Sequence, residues 1–374
     1  MAYTLLTNGQ KLAPRKVLTL ILFSLLFATI VFVQVFQFKD PHLILREEVP
    51  LKFYEKSREW LVMVDPDCIA NIGSNKSCKG PVKVMSSRYV DNPNFEMLYF
   101  VMDKATNDHL KLYGMLTNQL NITQARAIPR FATQSVYVNI ANMTPIVVDI
   151  PANLDKFWFH WKKSHFIKCR NLEMKRNSTS RLIPLDKVKI LSKYREFADK
   201  WNTTFQLACG TLLGWYRECD IISHTQDIDL TGPSSLIEPA FMKAIQDKYK
   251  MRYVFGYDKD SLELNWLYQG IRTDLFFKYP HNATHEKTCA VDFGGRKQVF
   301  SYYPKVTKTC AGDLHGVLVY VPCNVEEILV SEYGNYTKDI QLPNFRYYAD
   351  PRNIEAGPQL PKAEFDKLTR YKWP

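Results

Sequence analysis

No C-x-x-C or C-x-x-H pair occurs in the 374 residues, although 8 Cys and 8 His are present. Zinc modules place their ligands at such spacings, so the cysteines read instead as disulfides or buried thiols, and no histidine metal site is expected. Compact Lys/Arg-rich runs are also missing. The formal charge of +11 and pI of about 9.1 therefore point as readily to a solubilising surface as to an anionic partner, and no nucleic-acid partner is expected. With 46% hydrophobic and 13% aromatic residues, the chain has ample material for a core, which excludes wholesale disorder.

Charge of either sign is absent from Val17 to Phe38, and no acid precedes Asp40. A run of this length suffices to cross a bilayer as a helix, for which roughly 20 residues are needed. No Ala-x-Ala-like site follows Phe32, which disfavours a cleaved signal peptide. Lys11, Arg15 and Lys16 precede the run, so the N-terminus is expected in the cytosol and the bulk of the chain in the lumen. Asn-x-Ser/Thr triplets agree with that placement. They begin at Asn75, Asn121, Asn142, Asn177, Asn202, Asn282 and Asn335, seven among 20 Asn, where about two are expected by chance. All eight Cys also lie beyond the apolar run, as an oxidising lumen permits. Cys68 and Cys78 flank a polar loop and are the expected local bridge.

The expected organisation is α/β throughout: a cytosolic tail at 1–16, a transmembrane helix at 17–38, a stem at 39–81, and a small α/β domain at 82–165. A catalytic domain follows at 166–374, with a mixed sheet flanked by helices. Phe95 to Met102 and Ser135 to Ile140 read as strands, and Asn107 to Leu120 as a helix. Phe157, Trp158, Phe159 and Trp161 suit packing between domains better than stacking on a sugar. Val188, Leu191, Tyr194, Ala198 and Trp201 recur at helical spacing, so Leu185 to Trp201 is expected as an amphipathic helix. Ile237 to Met251 reads as another helix. Leu262 to Tyr268 and Ile271 to Phe277 read as a strand pair turning at Gln269-Gly270.

The chemistry concentrates in QLACGTLLGWYRECDIISHTQDIDL, from Gln206 to Leu230. This reads as a short strand, a Gly210-Thr211 turn, a helix over Leu212 to Arg217, and a second strand. Side chains two apart on a strand share a face, so Asp227 and Asp229 project together while Ile228 and Leu230 enter the core. Two carboxylates held so close repel unless a cation lies between them, and a hard divalent ion such as Mg²⁺ or Mn²⁺ meets that need with oxygen ligands. Gly210, lacking Cβ, lets backbone N–H groups approach a phosphate at the helix N-terminus, and Thr211 adds a hydroxyl. Asp274 stands in a strongly β-forming, largely apolar run, where an unpaired charge is costly, and supplies a third acid. An Asp-x-Asp pair alone is commonly a solvated strand end; the order Gly-Thr, acid-x-acid, single acid is what raises it. Glu263 reads as structural rather than catalytic, and Cys209 as a small core residue.

Together with DSLELNW at Asp260 to Trp266, TDLFF at Thr273 to Phe277 and VPCNVEEILVSEYG at Val321 to Gly334, this stretch resembles the LicD/fukutin family of the nucleotidyltransferase superfamily. The resemblance covers roughly Leu185 to Gly334. It implies a nucleotidyltransferase-type fold and a metal site of Asp227, Asp229 and Asp274. Gly210, Thr211, Tyr216, Arg217 and His224 would contact the donor. It further implies a Golgi or ER type II membrane phosphotransferase that moves ribitol 5-phosphate from CDP-ribitol to a glycan hydroxyl of a glycoprotein, with other glycan-modifying transferases as candidate partners. Transfer of phosphocholine from CDP-choline, transfer of a sugar, and a non-catalytic scaffold are the alternatives.

Overall fold

Ile228 and Leu230 are buried while Asp227, Asp229 and Thr231 between them keep part of their surface, which is the alternation of a strand with one face in the core. That strand belongs to a mixed α/β arrangement seen in a computed structural model, which describes residues 59–64, 84–91, 96–101, 126–138, 146–174, 181–339 and 345–371. The apolar run at 17–38, the stem residues around Cys68 and Cys78, and the helix expected at Asn107 to Leu120 lie outside these. Among the described residues no helix is long and apolar enough to cross a membrane.

The chain divides into two compact units. In the first, strands β1 (Glu59–Val64) and β2 (Val84–Asp91) pair antiparallel, as do β5 (Thr133–Val138) and β6 (Ile146–Pro151). The second comprises residues 91–101, 123–130 and 155–374. Its first strands, β3 (Met97–Val101) and β4 (Arg126–Pro129), pair with each other, and their Met97 and Ala127 share a core with Ala311, Leu318 and Tyr320. Helix α1 (Leu154–Trp161) turns Phe157 and Trp161 inward, stacked at 5.6 Å between centroids, while His160 meets the Tyr320 hydroxyl at 2.6 Å. These aromatics are packing residues within this unit.

The helix expected over Leu185 to Trp201 forms as a 3₁₀ turn, Leu185–Lys189, followed by α2 (Ile190–Asp199). Its apolar stripe meets the sheet: Tyr194 contacts Trp266 and Tyr249 edge-on, and Tyr249 stacks on Trp266 at 5.2 Å. The expected helix over Ile237 to Met251 is shorter, α4 (Pro239–Lys248), because Tyr249 turns to extended backbone and Lys250 opens a strand.

The large sheet runs β16 (Ile354–Ala356), β13 (Lys297–Pro304), β12 (His285–Asp292), β11 (Ile271–Pro280), β10 (Glu263–Tyr268), β9 (Lys250–Phe255), β17 (Thr369–Arg370). Strand β8 (Asp227–Pro233) lies parallel beside β11, with β7 (Gln206–Leu207) antiparallel on its other edge. The hairpin β10–β11 closes tightly from Tyr268 to Ile271. Its two turn residues, Gln269 and Gly270, both take positive φ, 50° and 84°, as a two-residue turn matched to strand twist requires. Hairpin β14 (Thr309–Leu314) and β15 (Val317–Pro322) packs beneath α2. It leads into α5 (Val325–Tyr333), and α6 (Lys362–Leu368) runs directly into β17.

Two disulfides join this unit, Cys169–Cys219 and Cys310–Cys323, while Cys209 and Cys289 are free thiols. Asn202, Asn282 and Asn335 are exposed, as glycan acceptors must be. His281 and His285 stand four apart, His281 in the turn after β11 and His285 at the start of β12, rather than on one helix face. His281 packs on Tyr302 and His285 bonds the Thr284 hydroxyl.

Candidate active site

Parallel pairing of β8 with β11 sets Asp229 beside Asp274 and Asp227 beside Arg272 in register. Registered neighbours on adjacent strands point to the same face, roughly 5 Å apart, so the three acids share one face of the sheet. The row continues outward, since Asn265 of β10 pairs with Asp274 and Tyr253 of β9 pairs with Asn265. Arg252 donates to Asn265 Oδ1 at 3.2 Å, which turns the Asn265 amide so that Nδ2 donates to Asp274. The Tyr253 hydroxyl donates to Glu263 at 2.7 Å and reaches Asp274 at 3.4 Å.

The sharp turn that opens the helix is one residue earlier than the sequence suggests. Ala208 is extended, Cys209 takes φ of 42°, and α3 (Cys209–Glu218) begins there, so Gly210 and Thr211 form its first turn. Helix geometry leaves the leading N–H groups without intrahelical partners. Thr211 is fully buried and its hydroxyl accepts the backbone N–H of Asp229 at 2.9 Å, which pins α3 to β8. A Cβ on Gly210 would sit 3.7 Å from Asp229 Oδ2, so the space beside this carboxylate is the space that glycine leaves open.

Electrostatically the face is crowded with negative charge. Burial raises the Asp229 carboxyl well above the ordinary range, and repulsion from Asp227, Asp274 and Glu332 raises it further. Burial lifts Asp274 to about 6, against the hydrogen bond from Asn265. Asp227 is also raised by burial, with Arg272 at 3.6 Å opposing. Two further buried acids belong to the setting. Glu263 is raised well above its usual value by burial and then by Asp274, and Glu332 of α5 by burial to about 7. Each keeps one carboxyl oxygen without a hydrogen-bond partner.

This donor set suits a hard divalent cation: oxygen ligands only, mutually repelling, with buried oxygens still unpaired. Among the described residues no three His, Cys, Asp or Glu side chains close about a single point, so the acids line a wall rather than form a finished cage.

The other residues singled out in the sequence fall elsewhere. Tyr216, near the far end of α3, donates to Glu326 at 3.0 Å within a cluster that includes Tyr336 and Arg170. Arg217 is buried, paired with Glu218 and with Asp339 at 3.2 Å, and donates to the carbonyls of Tyr336 and Lys338. With its guanidinium committed to protein partners, it anchors the helix end. His224 lies in the turn that leads into β8. Tyr253, Asn265 and Glu332 escape sequence reasoning. Asn265 sits in the quoted DSLELNW and Glu332 in VEEILVSEYG, but nothing in either run says which side chain faces the acids.

Residues 202–324 match the family model described as LicD/FKTN/FKRP, nucleotidyltransferase domain, a span that holds Gly210, all three aspartates and Glu263. The chain belongs to the LicD/fukutin family. An uncharacterized Caenorhabditis elegans protein is 28% identical over 327 residues, covering 81% of this chain and 80% of its own. A second from that organism is 32% identical over 270 residues, 68% of this chain and 66% of its own. The human protein named ribitol-5-phosphate transferase FKTN is 29% identical over 225 residues, 55% of this chain and 46% of its own. The chain thus spans about half the length of the fukutin relative it matches.

Proposed function

We propose that this LicD/fukutin family member is a phosphotransferase that moves a phospho-alditol, ribitol 5-phosphate, from its CDP derivative to a hydroxyl of a glycan on a secretory glycoprotein. The observation that carries the reading is the register of β8 and β11, which sets Asp229 beside Asp274 next to the space left open at Gly210. The name of the human relative supports the ribitol phosphate. The enzyme would be a type II protein of the Golgi or ER membrane with its catalytic part in the lumen, as the charge pattern around 17–38 and the glycan acceptor triplets suggest.

Asp227, Asp229 and Asp274 would hold Mg²⁺ or Mn²⁺, which supplies neutralisation of the charge on the donor's diphosphate. The chain's own groups do the rest. The open first turn of α3 presents backbone N–H groups to a phosphate oxygen. Asn265, oriented by Arg252, holds Asp274 in place to take the proton of the acceptor hydroxyl. The acceptor oxygen attacks the alditol-side phosphorus in line, the bond to the cytidylyl phosphate breaks, and CMP leaves.

The test is to incubate the full chain in detergent with Mg²⁺, CDP-ribitol, CDP-choline and glycan acceptors, and to weigh the products. A product heavier by one phospho-alditol, with CMP released, is expected. One heavier by an unphosphorylated sugar would replace the reading with glycosyl transfer.

A further inference from the structure

Four large aromatics are exposed among the described residues of this unit, and two of them stand beside the acid face: Tyr347, 52% exposed, and Phe293, 45% exposed. Their attachment to the acids is specific. The Tyr347 hydroxyl donates to the carbonyl of Val291 at 2.9 Å, close enough to Glu263 and Asp274 for both carboxylates to act on it. Glu263 in turn accepts from Tyr253, whose hydroxyl also reaches Asp274. Phe293 meets the Tyr253 ring edge-on at 5.2 Å and Phe365 at 6.1 Å, and Tyr348 braces Tyr347 edge-on at 5.3 Å. Both rings are thus fixed at their edges with ring surface left to solvent.

We infer that Tyr347 and Phe293 form a stacking wall for the nucleobase of the donor nucleotide. A ring tethered through its hydroxyl keeps a fixed face for a flat partner, and such a contact loses little rotamer freedom. The electrostatic surroundings select among flat partners. Burial raises the Tyr347 hydroxyl, and Glu263, Asp292 and Asp274 raise it further, so carboxyl oxygens that can accept a hydrogen bond lie along this edge of the site. That favours a base presenting an exocyclic amine, such as cytosine, over uracil, which presents a carbonyl at the same position. The inference rests on the donor-site reading given above and adds to it the residues that read the base.

CMP, UMP and inorganic pyrophosphate, each with Mg²⁺, are titrated by calorimetry into the full chain and into Tyr347→Ala and Tyr347→Phe. Base–aromatic stacking of ordinary strength predicts that Tyr347→Ala weakens CMP binding about tenfold and leaves pyrophosphate unchanged, while Tyr347→Phe stays within about threefold. The wild type is expected to prefer CMP to UMP. Equal CMP affinity in wild type and Tyr347→Ala, or an equal loss for pyrophosphate, would overturn the stacking wall while leaving the donor site standing. A wild type that binds neither nucleotide nor pyrophosphate would overturn the donor site, and the wall with it.

Discussion

Asp229 is buried among three other acids, Asp227, Asp274 and Glu332, all of which oppose its charge. Replacing it by Asn keeps the shape and removes one charge. Asp229→Asn should therefore abolish transfer while raising the melting temperature of the metal-free protein by about 2–5 °C, read by calorimetry in EDTA. The same crowding sets a pH dependence. Folded carboxyls at about 6 for Asp274 and about 7 for Glu332 stand above their unfolded values, so the fold binds more protons than the unfolded chain in that range. Their stabilisation is complete below about pH 4 and is lost as pH rises through 6 and 7. Metal-free protein should thus melt lower at pH 8 than at pH 5, and Mg²⁺ should narrow the gap. Equal melting temperatures at the two pH values would contradict this. Gly210→Ala tests the open space beside Asp229. No clash opposes the methyl group, so stability should hold or rise by up to about 1 kcal/mol, yet turnover should fall at least tenfold.

Among the elements, α3 and the pair β8–β11 decide whether a site exists. Within α3, Gly214 is required for a steric reason. A Cβ there would meet the Asp220 carbonyl at 2.7 Å and the Ile222 backbone nitrogen at 2.9 Å, atoms that cannot step aside alone. Gly214→Ala should cost about 1–3 kcal/mol, measurable by chemical denaturation, in contrast to the tolerated change at Gly210. Period-two alternation made the face of Asp227 and Asp229 legible in the sequence, and the cost of a charge in an apolar run made Asp274 legible. The Gln269-Gly270 hairpin was equally plain from its turn residues. The parallel pairing of β8 with β11 was not, because α4, β9 and β10 intervene and register across such a gap is a tertiary property. For the same reason Tyr253 and Glu332, delivered by β9 and α5, carry no local signal. Tyr216 and Arg217 lie close to Gly210 in sequence, but a ten-residue helix spans roughly 15 Å, and α3 takes them toward Tyr336 and Asp339.

Across the molecule, the disulfides tie the site to its support. Cys169–Cys219 closes a loop of 50 residues from the segment before α2 to the end of α3, and Cys310–Cys323 clips the β14–β15 hairpin beneath α2. Chain-entropy arguments give the longer loop about 4 kcal/mol. Cys169→Ser with Cys219→Ser should lower stability by 2–4 kcal/mol on the order of that figure. Turnover per folded molecule should fall less than in Asp229→Asn, since Cys219 caps the end of α3 opposite to the one that holds Gly210. The central claim is that Asp227, Asp229 and Asp274 act as one site for a divalent ion. Its most direct test is Mn²⁺ binding, followed by electron paramagnetic resonance, to the full chain and to Asp229→Asn and Asp274→Asn. Binding in the wild type that is lost in both variants is the predicted result; Asp274→Asn binding Mn²⁺ as tightly as the wild type would contradict it.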